Sequence, residues 1–335
     1  MSGFPDWPYY GCMLRSLRWS LLCIPFVLSA CAENGSCTIA SVGDMPVLNE
    51  QGSPIVKASI NGHPVAFIVD TGALITAIWT RQVDKLGLYS TFRQVQLRGV
   101  GGDTLGTVVT ARTMGLGAAT VSDVSFVSVG KMMDGRAING IPVVGLLGAD
   151  FLSSYDVVFD LPNHQVNLYD VRGCKGLIPR WSGGFYSVPT DEDHIDQTKI
   201  IVRVKLNGHP MDAILDSGAQ HTLITTDDAR GAGVTKADLA RDHTGIGVGI
   251  DDKKLVRFMH RFESFQIGPF HFDHPVMPVS ETDHSLLGAE FLRRHRVWIP
   301  RARNEIFVQP TGPFTPIDPP TTAPADAASG RNKPE

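Results

Sequence analysis

Charge is scarce in this sequence. Only 19% of its 335 residues are charged, and 30 Lys and Arg against 34 Asp and Glu leave a formal net charge of -4. That balance excludes the basic footprint a nucleic-acid partner needs. Cysteine is rarer still, at five residues, so covalent cross-links can play only a local part. The chain is long enough to pack two lobes instead. Apolar runs are short, and none approaches the roughly 20 residues of a membrane-spanning helix. What is plentiful is Gly, at 34 residues, with Val, Ile, Thr and Phe in short runs between turn residues. That pattern favours an all-β architecture.

Residues 1–30 read as a targeting segment. Arg15 and Arg18 precede "WSLLCIPFVLSA", an apolar stretch too short to cross a bilayer. The segment ends "LSAC", which resembles the cleavage box of bacterial lipoproteins. The resemblance implies that Cys31 becomes a lipid-bearing N-terminus, holding the protein in the cell envelope and facing the periplasm. A plain secretory signal that contains a cysteine is the other reading. Removal of residues 1–30 leaves Cys31, Cys37 and Cys174. With Cys31 lipidated, Cys37 and Cys174 are an even pair in an oxidising compartment. They are either bridged, stapling the start of the first lobe to its end, or two free thiols.

Residues 31–53 are polar, small and turn-rich, and are expected to form a tether followed by an edge strand around Val47. Fully stretched, such a tether reaches on the order of 70 Å. Residues 310–335 are rich in Pro, Ala, Thr and Ser and cannot bury a core, so disorder is expected there.

Between these ends the chain repeats itself. Val56 to Ala73 aligns without a gap onto Val202 to Ala219, an offset of 146 that also carries Thr76, Ile78, Gly99 and Gly101 onto Thr222, Ile224, Gly245 and Gly247. The offset then shortens to 140, where "GLLGADFL" meets "SLLGAEFL". Two copies of one small domain follow, a lobe over 54–172 and another over 200–309, joined by a connection over 173–199. In each copy an Asn-Gly pair (Asn61-Gly62, Asn207-Gly208) marks a two-residue hairpin. The second strand of that hairpin ends at an aspartate, Asp70 or Asp216. The Leu-Leu-Gly stretches read as buried strands running into short helices. "SYDVVFDLPNHQVNLY" reads as a hairpin turning at Pro162-Asn163.

The sequence around these aspartates is "DTGA" and "DSGA", with glycine-rich stretches "RGVGGDT" and "TGIGVGIDD" further on and "LLG" after each. This ordered set, present twice, resembles the aspartic peptidases, pepsin-like and retropepsin-like. The resemblance covers about residues 45–310. It implies two retropepsin-like lobes around one cleft, Asp70 and Asp216 as the catalytic pair, and an extended polypeptide as substrate. It also implies flaps at Gly99, Gly101 and Gly102 and at Gly245, Gly247 and Gly249. Thr71 and Ser217 would cross-brace the active-site loops, and Gly72 and Gly218 would let the backbone approach the carboxylates.

The chemistry fits this arrangement. Hydrolysis without a metal or covalent nucleophile needs a base for water and an acid for the leaving group. Two adjacent carboxylates sharing one proton supply both, and the aspartic protease dyad is the standard example of that coupling. Ala73 and Ala219 follow the two triplets where pepsin-like enzymes usually carry a hydroxyl, so activity at mild acidity is expected. Neither flap has a Tyr, which makes the pair more like the symmetric retropepsin kind.

Other readings are weaker. Each aspartate alone could be a turn residue. The flap glycines lack the GxGxxG spacing and strand–turn–helix context of a dinucleotide site. His271, Asp273 and His274 are close in sequence but lack the remaining ligands of a metal site. His63 and His209 fall on exposed turns, and His221 reads as a core-edge residue. No cofactor or metal is expected. A monomer is favoured over a dimer with two dyads, and the competing function is an inactive peptide- or protein-binding module of the same fold.

Overall fold

The computed structural model describes residues 37–99, 102–130, 135–174, 176–192, 198–248 and 254–312. The targeting segment with Cys31, the flap residues Gly101 and Gly249, and most of the C-terminal tail lie outside them. The described residues are mainly β-strand, with helices of three to six residues.

Each repeat opens on the expected hairpin. The strands Ile55–Ile60 and His63–Val69 pair antiparallel, and so do Ile200–Leu206 and His209–Leu215. At the turns Asn61 and Gly62 have φ of 50° and 81°, and Asn207 and Gly208 have 51° and 79°. Both residues of such a turn need positive φ, which Asn tolerates and Gly adopts freely. Alternation then buries one face: Val56, Ala58 and Ile60 point into the core while Lys57 stays exposed.

In the first lobe these strands belong to an eight-stranded sheet, ordered Ile55–Ile60, His63–Val69, Ile141–Leu147, Ala77–Ile78, Ala119–Ser128, Gly102–Leu116, Tyr89–Gly99, with Ala137–Ile138 paired to Ile141–Leu147 off this path. A further pairing of Ala58 with Leu116 curls this sheet back on itself. The second lobe splits the same plan in two. Its short strand Ile224–Thr225 pairs with Val276–Ser280 in a four-stranded sheet, and an isolated bridge, Leu223 to Leu286, links it to the hairpin sheet.

The lobes meet in a continuous sheet. The strand Asp156–Asp160 pairs with its own repeat, His295–Ile299, antiparallel. Val158 lies opposite Trp298, its counterpart at the 140 offset, while Val157 pairs with Ile299 and Phe159 with Val297. The pseudo-two-fold axis therefore passes through the Val158–Trp298 pair. One hydrophobic cluster runs through both lobes, from Val56 and Phe67 to Phe270 and Val308.

Three expectations need correction. The edge strand placed around Val47 runs over Thr38–Pro46, beside Gln165–Arg172, so the stretch expected as a tether is part of the sheet from Thr38 onward. Its exposed, polar first half is what made it read as a linker. The connection over 173–199 contains the strand Tyr186–Glu192, which sits between Glu305–Pro310 and Ile200–Leu206 in the central sheet. Buried Phe185, Tyr186 and Val188 hold it there, a signal hidden among Gly, Pro and acidic neighbours. His221 is exposed rather than at a core edge, and its Nδ1 lies 2.9 Å from Glu290 Oε2.

Cys37 and Cys174 form a disulfide. It ties the start of the edge strand to the end of its neighbour, where Thr38 pairs with Arg172. Among the described residues no helix is long and apolar enough to cross a membrane.

Candidate active site

The two aspartates are delivered by identical local structure. Val69 runs parallel to Leu147, and Leu215 to Leu287. The amide of Asp70 then donates to Leu147 O at 2.9 Å, and that of Asp216 to Leu287 O at 2.9 Å. The Leu-Leu-Gly strands thus fix the residue at which each chain leaves its sheet. Just beyond, Ala149 N donates to Ala73 O and Ala289 N to Ala219 O, both at 2.8 Å, pinning the loops from behind.

Each carboxylate is held by the loop that follows it. Asp70 Oδ1 accepts from the amides of Gly72 and Ala73 at 3.0 and 2.9 Å, and Asp216 Oδ1 from Gly218 and Ala219 at 2.8 and 2.9 Å. These bonds favour the charged form, but burial opposes them and wins. Burial, followed by the adjacent charge of Asp216, raises the Asp70 pKa well above the ordinary carboxylate range. Burial likewise raises that of Asp216. The two carboxyls lie close enough that the charge of Asp216 opposes ionisation of Asp70, so the pair gives up its protons less readily than isolated carboxylates do.

Thr71 and Ser217 lock the loops together across the lobes. Thr71 Oγ1 donates to Leu215 O at 2.6 Å and accepts from Ser217 N at 3.0 Å. Ser217 Oγ donates to Val69 O at 2.7 Å and accepts from Thr71 N at 3.0 Å. Both residues are buried, and the brace joins halves of the same chain.

A second ring of residues was not assigned a role from sequence. Asp150 Oδ1 accepts from Thr76 N and Thr76 Oγ1 at 2.9 and 2.6 Å, while Thr76 Oγ1 accepts from Gly148 N at 3.0 Å. In the other lobe Glu290 Oε1 accepts from Thr222 N at 2.9 Å, and Thr222 Oγ1 accepts from Gly288 N at 3.2 Å. Thr76 and Thr222 stand out in the repeat. Pairing each with the acid two residues after Leu-Leu-Gly was the signal that went unread.

Of the flap glycines within the described residues, Gly99 and Gly102 pair at the tip of the first hairpin, and Gly245 and Gly247 lie on the strand His243–Val248 of the second. His271 Nε2 lies 3.1 Å from Asp273 Oδ1 on an exposed strand. Among the described residues no cluster of three or more His, Cys, Asp or Glu could hold a metal ion.

Comparison with known proteins agrees with this geometry. A family model described as aspartyl protease matches residues 56–151 and again 202–291. The DNA damage-inducible protein 1 of Kluyveromyces lactis is 27% identical over 138 residues, 41% of this chain and 32% of that protein. Protein DDI1 homolog 1 of Homo sapiens is 28% identical over 119 residues, 35% of this chain and 30% of that protein. The UBA domain-containing protein Mud1 of Schizosaccharomyces pombe is 30% identical over 106 residues, 31% of each chain. The chain therefore spans about a third of the length of these curated relatives. With both repeats matched and an aspartate at the same point of each, the chain belongs to the aspartyl protease family.

Proposed function

We propose that the protein is an aspartic endopeptidase that cleaves extended polypeptides with a water activated between Asp70 and Asp216. The observation that carries the reading is the reciprocal dyad: two buried carboxylates, each fixed by two amides of its own loop and each resting on the glycine of the opposite triplet. The ionised carboxylate takes a proton from water as the water oxygen bonds to the scissile carbonyl carbon. The protonated partner gives its proton to the carbonyl oxygen, forming a neutral gem-diol. A carboxyl proton then passes to the amide nitrogen, the C–N bond breaks, and the gem-diol returns a proton as it becomes the product acid. The flap hairpins offer backbone donors and acceptors to a substrate bound as an added strand.

The test is to incubate the protein with a denatured protein mixture and map the new termini by mass spectrometry. Internal cleavages absent from the Asp70→Asn and Asp216→Asn variants are expected. Identical peptide profiles with and without the protein, across acid to neutral pH, would leave only a peptide-binding role.

The reading extends to location. Cys31 as a lipidated N-terminus would anchor a monomer at the envelope membrane, facing the periplasm, where the Cys37–Cys174 bond is favoured. A Cys31→Ser variant is then expected to leave the membrane fraction. Unchanged membrane association and processing of that variant would exclude the lipid anchor.

A further inference from the structure

The flap of the first lobe does not end free. Its strands Tyr89–Gly99 and Gly102–Leu116 close where Gly99 pairs with Gly102. One residue before that tip, Arg98 Nε donates to Asp283 Oδ2 at 2.8 Å. Asp283 belongs to the second lobe, two residues ahead of the strand Ser285–Leu287, which runs beside the strand that delivers Asp216. The contact therefore spans 185 residues of sequence and crosses from one lobe's flap to the support of the other lobe's aspartate.

Arg98 has a second carboxylate on its own hairpin. The register sets it directly opposite Asp103 on the partner strand, so both side chains emerge on one face. Asp283 and then Asp103 both hold the Arg98 guanidinium in its charged form. Arg98 in turn keeps the Asp283 carboxyl below its usual range. In the second flap the position matching Arg98 is Thr244, so the repeat does not carry this arginine over.

We propose that Arg98 and Asp283 form a latch holding the first flap across the cleft. Both are positioning residues. With side chains 65% and 55% exposed, the pair adds little to overall stability. A lid needs only a small bias, and an exposed ion pair supplies one of that size. Salt screens the exposed pair and so shifts the balance toward the lifted form. The latched form presents the flap backbone to an extended strand. Weakening it lowers the binding-competent fraction and raises the apparent dissociation constant in proportion. That kinetic consequence rests on the peptidase reading, whereas the latch itself does not.

The experiment is amide hydrogen exchange of the flap in the intact protein at low ionic strength, with KM and kcat for a cleaved peptide measured alongside. Arg98→Ala and Asp283→Asn are each expected to speed exchange over residues 93–99 and 102–108 by about two- to five-fold, the range of an exposed ion pair. KM rises by a similar factor and kcat does not change. The double variant matches either single, as residues acting as one unit should. At about 0.5 M NaCl the wild type exchanges like the variants. Wild-type exchange in Asp283→Asn at low salt, or additive effects in the double variant, overturns the latch. Exchange that follows this pattern in a protein cleaving no peptide upholds the latch and removes the peptidase reading.

Discussion

Gly218 lies so close beneath Asp70 that a Cβ added to it would stand 2.1 Å from the Asp70 Cγ. Gly72 mirrors it, with a Cβ there 2.4 Å from the Asp216 Cγ. Each carboxylate thus rests on the glycine of the opposite triplet, and the atom met is a short carboxyl already pinned by two amides. Gly218→Ala should displace Asp70 rather than its own neighbour, and Gly72→Ala should displace Asp216. Overpacking of this kind costs about 1–3 kcal/mol. A misplacement near 1 Å can cost about a hundredfold in rate. Peptide kinetics and thermal melts of the two variants check both; near-normal kcat in either would mean the dyad tolerates loose geometry.

The raised dyad makes stability and activity depend on pH in linked ways. Below the unfolded carboxylate pKa of about 4, both aspartates are protonated whether the chain is folded or not. As pH rises, the unfolded chain gives up these protons before the folded one does, because burial raises both pKa values in the fold. Stability is therefore lost progressively as pH climbs toward the folded values. Asp70→Asn, which mimics the protonated form, removes much of that slope. Urea melts should show equal midpoints near pH 3 and a more stable variant toward neutrality. The same variant and Asp216→Asn should each abolish hydrolysis, with the double variant hardly worse. Wild-type turnover should persist into weakly acidic or near-neutral pH, since Ala73 and Ala219 supply no hydroxyl to hold the charged form. An optimum confined to strong acid contradicts this.

The brace predicts a loss shared by both lobes. Thr71→Val keeps the shape of the side chain but leaves Leu215 O and Ser217 N without their partner. Two buried groups stripped of hydrogen bonds cost about 2–4 kcal/mol together. Ser217→Ala strands Val69 O and Thr71 N in the same way. Denaturant melts measure the cost, and hydrolysis should fall with it, because the loops carrying the two aspartates are joined by these bonds. A Thr71→Val protein of unchanged stability would show that water replaces the hydroxyl.

The dyad and brace were legible because the constraint is local and occurs twice. An aspartate at a strand end, a hydroxyl, a glycine and a distant Leu-Leu-Gly recur at a fixed offset, and each copy confirms the alignment of the other. The strand Tyr186–Glu192 was not legible, since it occurs once and its partners, Ile200–Leu206 and Glu305–Pro310, come from elsewhere in the chain. The Thr76–Asp150 contact was hidden differently: its halves are 74 residues apart, and the matching acid in the second copy is Glu290, longer by one methylene. The Arg98–Asp283 pair breaks the repeat altogether, so internal symmetry could not suggest it.

The Cys37–Cys174 bond should matter for stability and not for chemistry. It closes a loop of 137 residues at the open edge of the central sheet, where the first four residues of Thr38–Pro46 are exposed and have little packing to hold them. Constraining so long a loop in the unfolded chain is worth about 2–4 kcal/mol in the usual range for disulfides. Replacing both cysteines by serine should lower the urea midpoint by a corresponding amount and let the strand fray from its Cys37 end. The dyad hangs instead on the pairings of Val69 with Leu147 and of Leu215 with Leu287. Hydrolysis well below the melting temperature should then be retained in the double serine variant, and a reducing agent should shift the wild type to the same midpoint. If the variant melts like the wild type, edge pairing alone secures the strand; if it loses hydrolysis while folded, the edge strand supports the cleft after all.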